Sequence, residues 1–255
     1  GSVPSFLINT SSLLAVGSIL FVIKRVLISC VPIANRRLKI RLNATGFLKQ
    51  LRMHYGHSNF SHLYIERAAE KYPMTEHLLS RFPKAERICI DNYKDVFARP
   101  GQHFQTQKRS IKLILAVKKD NLIYRGSNNA QDFGYSNFHY NALILNCVYN
   151  CDYCYLQGMY PSANIVVFVN TEAYFSATGK AIDQRADPAT PLYLAISYDT
   201  DLLALESLVP YCREWIEYSR RKDNLLIEIR TKSANYRALS DLPPHNQVVL
   251  AWSLS

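Results

Sequence analysis

The sequence predicts an α/β protein built on a parallel sheet, and three observations carry that reading. From residue 165 onward, apolar strand-like runs alternate with helical stretches, the pattern of βαβ units. Side chains alternate faces along a strand. In the run Leu225–Lys232 one face therefore carries Leu225, Ile227, Ile229 and Thr231, and the other Leu226, Glu228, Arg230 and Lys232. Central parallel strands are usually apolar on both faces. Charges on one face point to a polar cavity of the kind found at the C-terminal mouth of a β/α barrel, with a solvated edge strand as the competing reading. Lastly, the apolar run Ala142–Leu145 leads into a polar loop holding Cys147, Cys151 and Cys154.

The elements follow in order. Leu63-Tyr64-Ile65 reads as a short strand, and Pro73 and Thr75 open a helix that runs to about Phe82, where Pro83 ends it. Arg87–Ile90 and Ile111–Val117 read as strands, and Leu122–Tyr124 is expected to pair with the latter across Lys119-Asp120-Asn121. Residues 126–137 are rich in Gly, Ser and Asn and read as a loop or linker. Beyond the cysteines come a strand at Ile165–Val169, a helix at Glu172–Arg185, breaks at Asp187-Pro188 and Pro191, and a strand at Leu192–Ile196. A long amphipathic helix is expected over Leu202–Arg221, then a strand at Leu225–Thr231, a short helix at Asn235–Leu239 and a strand at Val248–Leu254.

The 255 residues have room for one large domain or two ordinary ones. The net charge of +10 is unevenly placed. Residues 1–62 hold Lys24, Arg25, Arg36, Arg37, Lys39, Arg41, Lys49 and Arg52 and no acid, which leaves 22 basic and 20 acidic residues in 63–255. The body is near neutral, so its bulk charge gives no argument for nucleic-acid binding. Leu13–Ile23 is apolar apart from Gly17 and Ser18, but its 11 residues are fewer than the about 20 that span a bilayer. A secretory signal carries its positive charge before the apolar run, whereas Lys24-Arg25 follows it. A non-domain extension, a targeting or membrane element and a true helix all stay open for this segment; a membrane is not an expected partner. The expected division is a basic and apolar extension over 1–62, a small α/β unit over 63–135 and a second α/β unit over 136–255. Because Leu254-Ser255 falls inside a strand-like run, more chain is expected past it.

Six cysteines are present, with Cys30, Cys89 and Cys212 scattered and the other three clustered. That is no secreted disulfide framework, and a reducing, cytoplasmic location is expected. The clustered three are spaced C-x3-C-x2-C. A structural zinc site would use paired C-x2–4-C units, of which there is one here, with His139 as a candidate fourth ligand. Three ordinary buried cysteines fit poorly with a loop that also holds Asn146, Asn150 and Asp152. The spacing favours an iron–sulfur cluster held by thiolates. Three thiolates on four irons leave one iron free to bind and activate a small molecule.

Cys147-x3-Cys151-Asp152-Tyr153-Cys154-Tyr155-Leu156-Gln157, followed by Ile165–Asn170, resembles the spore photoproduct lyase family of radical S-adenosylmethionine proteins. His139-Tyr140, Thr200-Asp201, Arg230-Thr231-Lys232 and Trp252-Ser253-Leu254 occur in the expected order, so the likeness covers roughly 100–255. Residues 63–100 resemble more closely an uncharacterised branch of that family. The resemblance implies a partial β/α (TIM-like) barrel over 136–255, incomplete at its C-terminus. It implies a [4Fe-4S] cluster on Cys147, Cys151 and Cys154, with S-adenosylmethionine at the C-terminal mouth of the strands. The cluster would cleave the sulfonium to a 5′-deoxyadenosyl radical, fed by an electron donor such as flavodoxin or ferredoxin. In the repair enzymes of the family that radical reverts a methylene-bridged thymine dimer in DNA. A non-catalytic metal- or nucleic-acid-binding relative is the alternative.

Residue by residue, the resemblance puts Tyr153, Thr200, Asp201, Lys232 and Ser253 on S-adenosylmethionine, with the Lys232 ammonium suited to its carboxylate as a point charge. Each has a plainer reading: a solvated lysine, a strand serine, aromatic packing for Tyr153 and Tyr155, and for Thr200 and Asp201 an N-cap on the helix starting at Leu202. The family's repair enzymes carry a hydrogen-returning cysteine where this chain has Tyr198. Tyr198 and Tyr155 are therefore the candidate hydrogen donors. By strand phase Tyr198 falls with Leu194 and Ile196.

Overall fold

The computed structural model describes residues 60–127, 134–243 and 245–253, together with the backbone of 15–16 and 19–24. The strands in chain order are β1 (Ala15–Val16), β2 (Ile19–Lys24), β3 (His62–Glu66), β4 (Glu86–Ile90), β5 (Leu113–Ala116), β6 (Tyr124–Arg125), β7 (Phe138–Tyr140), β8 (Ile144–Leu145), β9 (Ile165–Phe168), β10 (Leu192–Ala195), β11 (Leu225–Thr231) and β12 (Val248–Ser253). The helices are α1 (Pro73–Arg81), α2 (Lys94–Phe97), α3 (Phe104–Gln107), α4 (Leu156–Met159), α5 (Thr171–Asp183), α6 (Leu202–Leu205) and α7 (Tyr211–Ser219), with 3-10 turns at Arg67–Ala69 and Asn235–Leu239.

These strands form two sheets, ordered β4-β3-β5-β9-β8 and β1-β2-β12-β11-β10-β7-β6. Neighbours from β4 to β9 and from β2 to β7 are parallel, and β1, β6 and β8 are antiparallel additions at the ends. The chain crosses between the sheets just after β7, where Ala142 bridges Ser197. One apolar core takes Leu63, Ile114 and Val166 from the first sheet and Leu194, Ile227 and Leu250 from the second. The two parallel arcs with helices on their outer side make an open, partial β/α arrangement. The expected boundary near 135 does not interrupt the sheet: β5 pairs with β3 on one side and β9 on the other.

Most expected elements are present, each for a visible reason. Pro73 sits at the first position of α1, where its missing N–H costs nothing. All four residues of β9 are buried, as in a strand covered on both faces. On α5 the buried residues Tyr174, Thr178 and Ile182 recur every fourth position. Two expectations need correction. Leu122–Tyr124 does not pair with β5, whose two edges are already taken; β6 instead pairs with β7. The long helix over 202–221 is two, because Pro210 at the start of α7 cannot continue a helix from α6. The loop reading of 126–137 holds for its described residues, which form neither helix nor strand, and Gly126 N–H ties its start to Phe138 O of β7.

The readings of residues 1–14, 25–59 and 254–255 lie outside the described residues. Within the segment 13–23, the backbone of Ile19–Lys24 forms β2 alongside β12 rather than a helix. No helix among the described residues is long and apolar enough to cross a membrane.

Candidate active site

β11 runs between β10 and β12, so the edge-strand reading falls. Leu226, Tyr193, Ala195, Val249, Ala251 and Phe138 form a second apolar cluster on the face opposite the main core, with Tyr135, Tyr140 and Tyr198 packed against it. Glu228 on that face is fully buried. It is ion-paired with Arg230, whose Nη2 donates to Glu228 Oε2 at 2.9 Å. Burial and the nearby Glu228 charge raise the Tyr193 phenol. The Glu228 and Arg230 charges read from the sequence on this face are thus one ion pair, its carboxylate buried, set in an apolar cluster.

The cysteine loop begins beyond the end of β8 and is held at three points. Asn146 turns the chain with φ 68°, a left-handed conformation that Asn tolerates. Its buried Nδ2 donates to the carbonyls of Ser162 and Asn164 at 2.6 and 2.8 Å. Lys108 Nζ donates to the carbonyls of Cys147 and Tyr149 at 2.5 and 2.9 Å. Gln157 Nε2 donates to Cys151 O at 2.6 Å and is itself bonded by Gln105. All three thiols are free and half-buried.

Burial pushes the Cys147 thiol up to about 12, with the Asp201 carboxylate adding to it and backbone N–H donors opposing it. Burial also raises the Cys151 thiol, against the charge of Lys232. Lys108 is lowered by burial, and the three cysteines pull it back. Binding of a metal would draw the protons off these thiols, and the two ammonium groups would offset the resulting charge.

The residues expected around the ligand converge. Lys232 Nζ lies 5.0 Å from the centre of the exposed Tyr153 ring and donates to Ser253 O at 3.2 Å. Ser253 thus offers its carbonyl to Lys232. Asp201 is buried and accepts from Thr231 Oγ1 and Lys232 N, both at 2.6 Å, and from Ala204 N at 3.1 Å. The helix-capping reading of Asp201 holds, and Asp201 also ties α6 to the end of β11. The Thr200 hydroxyl is buried and makes no hydrogen bond among the described residues.

Tyr155 donates to Tyr198 O at 2.9 Å and to Asp199 Oδ1 at 3.3 Å. Asp199 is buried, its carboxyl raised by burial and steadied by hydrogen bonds from Tyr160 and Tyr155. Burial and the Asp199 charge raise the Tyr155 phenol. Tyr198 does not share the face of Leu194 and Ile196. β10 ends at Ala195, the phase is lost, and the ring stacks on Tyr140 at 4.2 Å, with Tyr124 beyond at 5.0 Å. His139 lies on the opposite side of β7 from Tyr140, its Nδ1 donating to Asn137 O at 3.0 Å. Among the described residues no three His, Cys, Asp or Glu side chains close on one point as a single-ion site would require. Three free, half-buried thiols with the charges of Lys108 and Lys232 nearby are a donor set that would suit an iron–sulfur cluster.

Sequence reading passed over Lys108, Gln157 as a loop anchor, and Asp199. Asp199 stands between Ser197-Tyr198 and Thr200-Asp201, a polar stretch that gives no sign of its burial, and Lys108 carries no signal either, because it binds carbonyls about 40 residues away in sequence.

A sequence model of the family "Spore photoproduct lyase" matches residues 59–254. The spore photoproduct lyase of Geobacillus sp. (strain Y412MC61) is 24% identical over 198 residues, 76% of this chain and 55% of that protein. The enzyme of the same name from Bacillus subtilis (strain 168) is 23% identical over 201 residues, again 76% and 55%. The chain thus spans about 55% of the length of these relatives. Among solved structures, spore photoproduct lyase complexed with dinucleoside spore photoproduct superimposes with a TM-score of 0.63 at 23% identity, covering 77% of this chain and 57% of that one. A double mutant with bound AdoMet and dinucleoside spore photoproduct gives 0.62 at 23% identity, covering 76% and 56%. The cysteine loop, the partial β/α fold and the family match over 59–254 agree, and this chain belongs to the spore photoproduct lyase family.

Proposed function

We propose that the chain carries the cluster- and S-adenosylmethionine-binding part of a radical enzyme acting on a nucleic-acid lesion. The observation that carries this is the loop of three free thiols beside which Lys232 lies over the Tyr153 ring. Cys147, Cys151 and Cys154 would hold the [4Fe-4S] cluster. When bound, that cluster supplies one electron to the sulfonium of S-adenosylmethionine and so releases a 5′-deoxyadenosyl radical.

The chain's own residues bind and orient. The Lys232 ammonium takes the ligand's carboxylate, and Tyr153 covers it from the exposed side. The Thr200 hydroxyl, with no other partner among the described residues, donates to a polar group of the ligand. Asp201 has three donors already, so it positions the Lys232 backbone rather than binding the ligand by itself. For hydrogen return, Tyr198 stands where the family's repair enzymes have a cysteine. Tyr155, fixed by Asp199, is the second phenol at that place. The names of the relatives support a thymine photoproduct as the substrate to try first.

Anaerobic reconstitution followed by EPR tests the cluster, and release of 5′-deoxyadenosine under reducing conditions tests the cleavage. Both signals are expected from the wild type and are lost in Cys151→Ala. A colourless protein that takes up zinc alone would sink the reading. With dinucleoside spore photoproduct, Tyr198→Phe is expected to cut product yield at least about tenfold while 5′-deoxyadenosine release persists. An unchanged yield would move the hydrogen donor to Tyr155.

A further inference from the structure

A second site lies on the other side of the β6–β7 hairpin from the tyrosine stack. Tyr124 of β6 faces the stack, so Arg125 next to it faces outward. His139 likewise faces outward between Phe138 and Tyr140. Between this hairpin and α5 runs a groove of about 460 Å³. Its depth comes from Ala177 and Ala181, one helical turn apart on α5. Lys119, Arg125, Lys180, Arg185 and His139 line it, with Asn121 and Asn137 between them, and among the described residues no acid lines it.

The lining cations make no close ion pair. Among the described residues none of Lys119, Arg125, Lys180 or Arg185 forms an ion pair. Arg185 spends its donors on the carbonyls of Ile182, Pro188 and Thr190, so it contributes field rather than contacts. Asp187 accepts from Ala189 N, Thr190 and Ser136, and the Arg185 charge helps to lower its carboxyl, so Arg185 is the partly neutralised end of the groove. Lys119, Arg125 and Lys180 remain as exposed donors. Cations placed along one groove with no acid among them match a chain of phosphates, because each neutralised phosphate releases counterions.

We propose that this groove binds the phosphodiester backbone of a nucleic-acid strand, apart from the cysteine loop. The proposal rests on the reading above only in choosing nucleic acid over another phosphate ester. It also differs from bulk attraction: residues 63–255 are near neutral overall, and the positive charge is gathered locally.

The test is the salt dependence of single-stranded oligonucleotide binding to the full, cluster-loaded chain. In the double variant Lys119→Glu/Lys180→Glu, affinity at 0.1 M salt is expected to fall at least about tenfold. The slope of log K against log salt should shrink by about 1.4, for two lost phosphates. A slope unchanged from wild type, or a wild type that binds no oligonucleotide, would overturn the proposal. So would pyrophosphate competing as well as an eight-nucleotide strand, since that assigns the groove to a small phosphate ligand. Release of 5′-deoxyadenosine without nucleic acid is expected to stay at the wild-type level in the double variant. A chain that binds the strand through the groove and releases no 5′-deoxyadenosine would refute the radical reading and leave the groove standing.

Discussion

Asp201 accepts from the side chain of Thr231, the backbone of Lys232 and the first turn of α6, so one carboxylate fixes the end of β11 against the loop that precedes α6. Hydrogen bonds to a charged group contribute about 1.5–3 kcal/mol each, and stranded buried donors cost more. Asp201→Ala is therefore expected to lower stability by about 3 kcal/mol, read from the urea midpoint. A loss below about 0.5 kcal/mol would mean that water replaces the carboxylate. Glu206 offers a pH test. It is buried and accepts from Cys212 N and Arg213 N at 2.8 and 2.9 Å, and burial moves its carboxyl from 4.5 up to about 7. A carboxyl raised on folding favours the folded state below its unfolded value, and that contribution is lost as pH rises through the folded value. Stability should thus fall by up to about 3 kcal/mol between roughly pH 4.5 and 7, with a flatter profile in Glu206→Gln. A wild-type profile as flat as the variant's would contradict the burial argument. At this scale the cysteine spacing and the Asp201 cap were legible in the sequence, because both are local patterns. Lys108 and Asp199 were not, since their partners come together only through the fold.

The β6–β7 hairpin is the element on which the two faces of the second sheet depend. Gly126 follows β6 directly, and its N–H donates to Phe138 O at 2.9 Å. A Cβ at this position would run into the Phe138 ring, which packs against Tyr193 on the inner face. Gly126→Ala is expected to cost about 1–3 kcal/mol by pushing that ring off its place. The check is a urea midpoint, with near-UV circular dichroism to report the tyrosine cluster. An unperturbed spectrum and midpoint would show that the ring yields freely. Elements with strong internal patterns, such as β9, α5 and β11, were readable from periodicity alone. β7 was hidden because its three residues, directly after the Gly-, Ser- and Asn-rich stretch 126–137, are too few to show a strand period. The pairing of β6 was misjudged for a different reason: nearness in sequence favours β5, but β5 has no free edge. Pro210 was the visible signal against one long helix over 202–221, and the apolar periodicity masked it.

At the scale of the whole molecule, the question is whether the small α/β unit and the cysteine-bearing unit are separate folding bodies. Their sheet is continuous. β5 lies between β3 and β9, and its four residues are fully buried on both faces. Phe168, also buried, packs edge-on against Tyr93 from the first unit, and its carbonyl accepts from Tyr211 of the second at 2.6 Å. Asn170 completes the join by donating to Lys118 O and accepting from Lys118 N, both at 2.9 Å. A fragment of residues 60–127 would therefore expose the edge of β5 that β9 takes, and would lose the buried partners that Tyr93 and Lys118 find in Phe168 and Asn170. Exposed strand edges template aggregation. The intact chain is expected to unfold in a single cooperative transition. The fragment should remain unfolded or aggregate, and adding residues 134–255 as a second polypeptide should restore strand signal in far-UV circular dichroism. Two separate thermal transitions in the intact chain, or a folded 60–127 fragment, would show that the boundary near residue 135 divides independent domains. A single transition would also bear on the site. Lys108 reaches across that boundary to the carbonyls of Cys147 and Tyr149, so the geometry of the cysteine loop would depend on the folding of both halves.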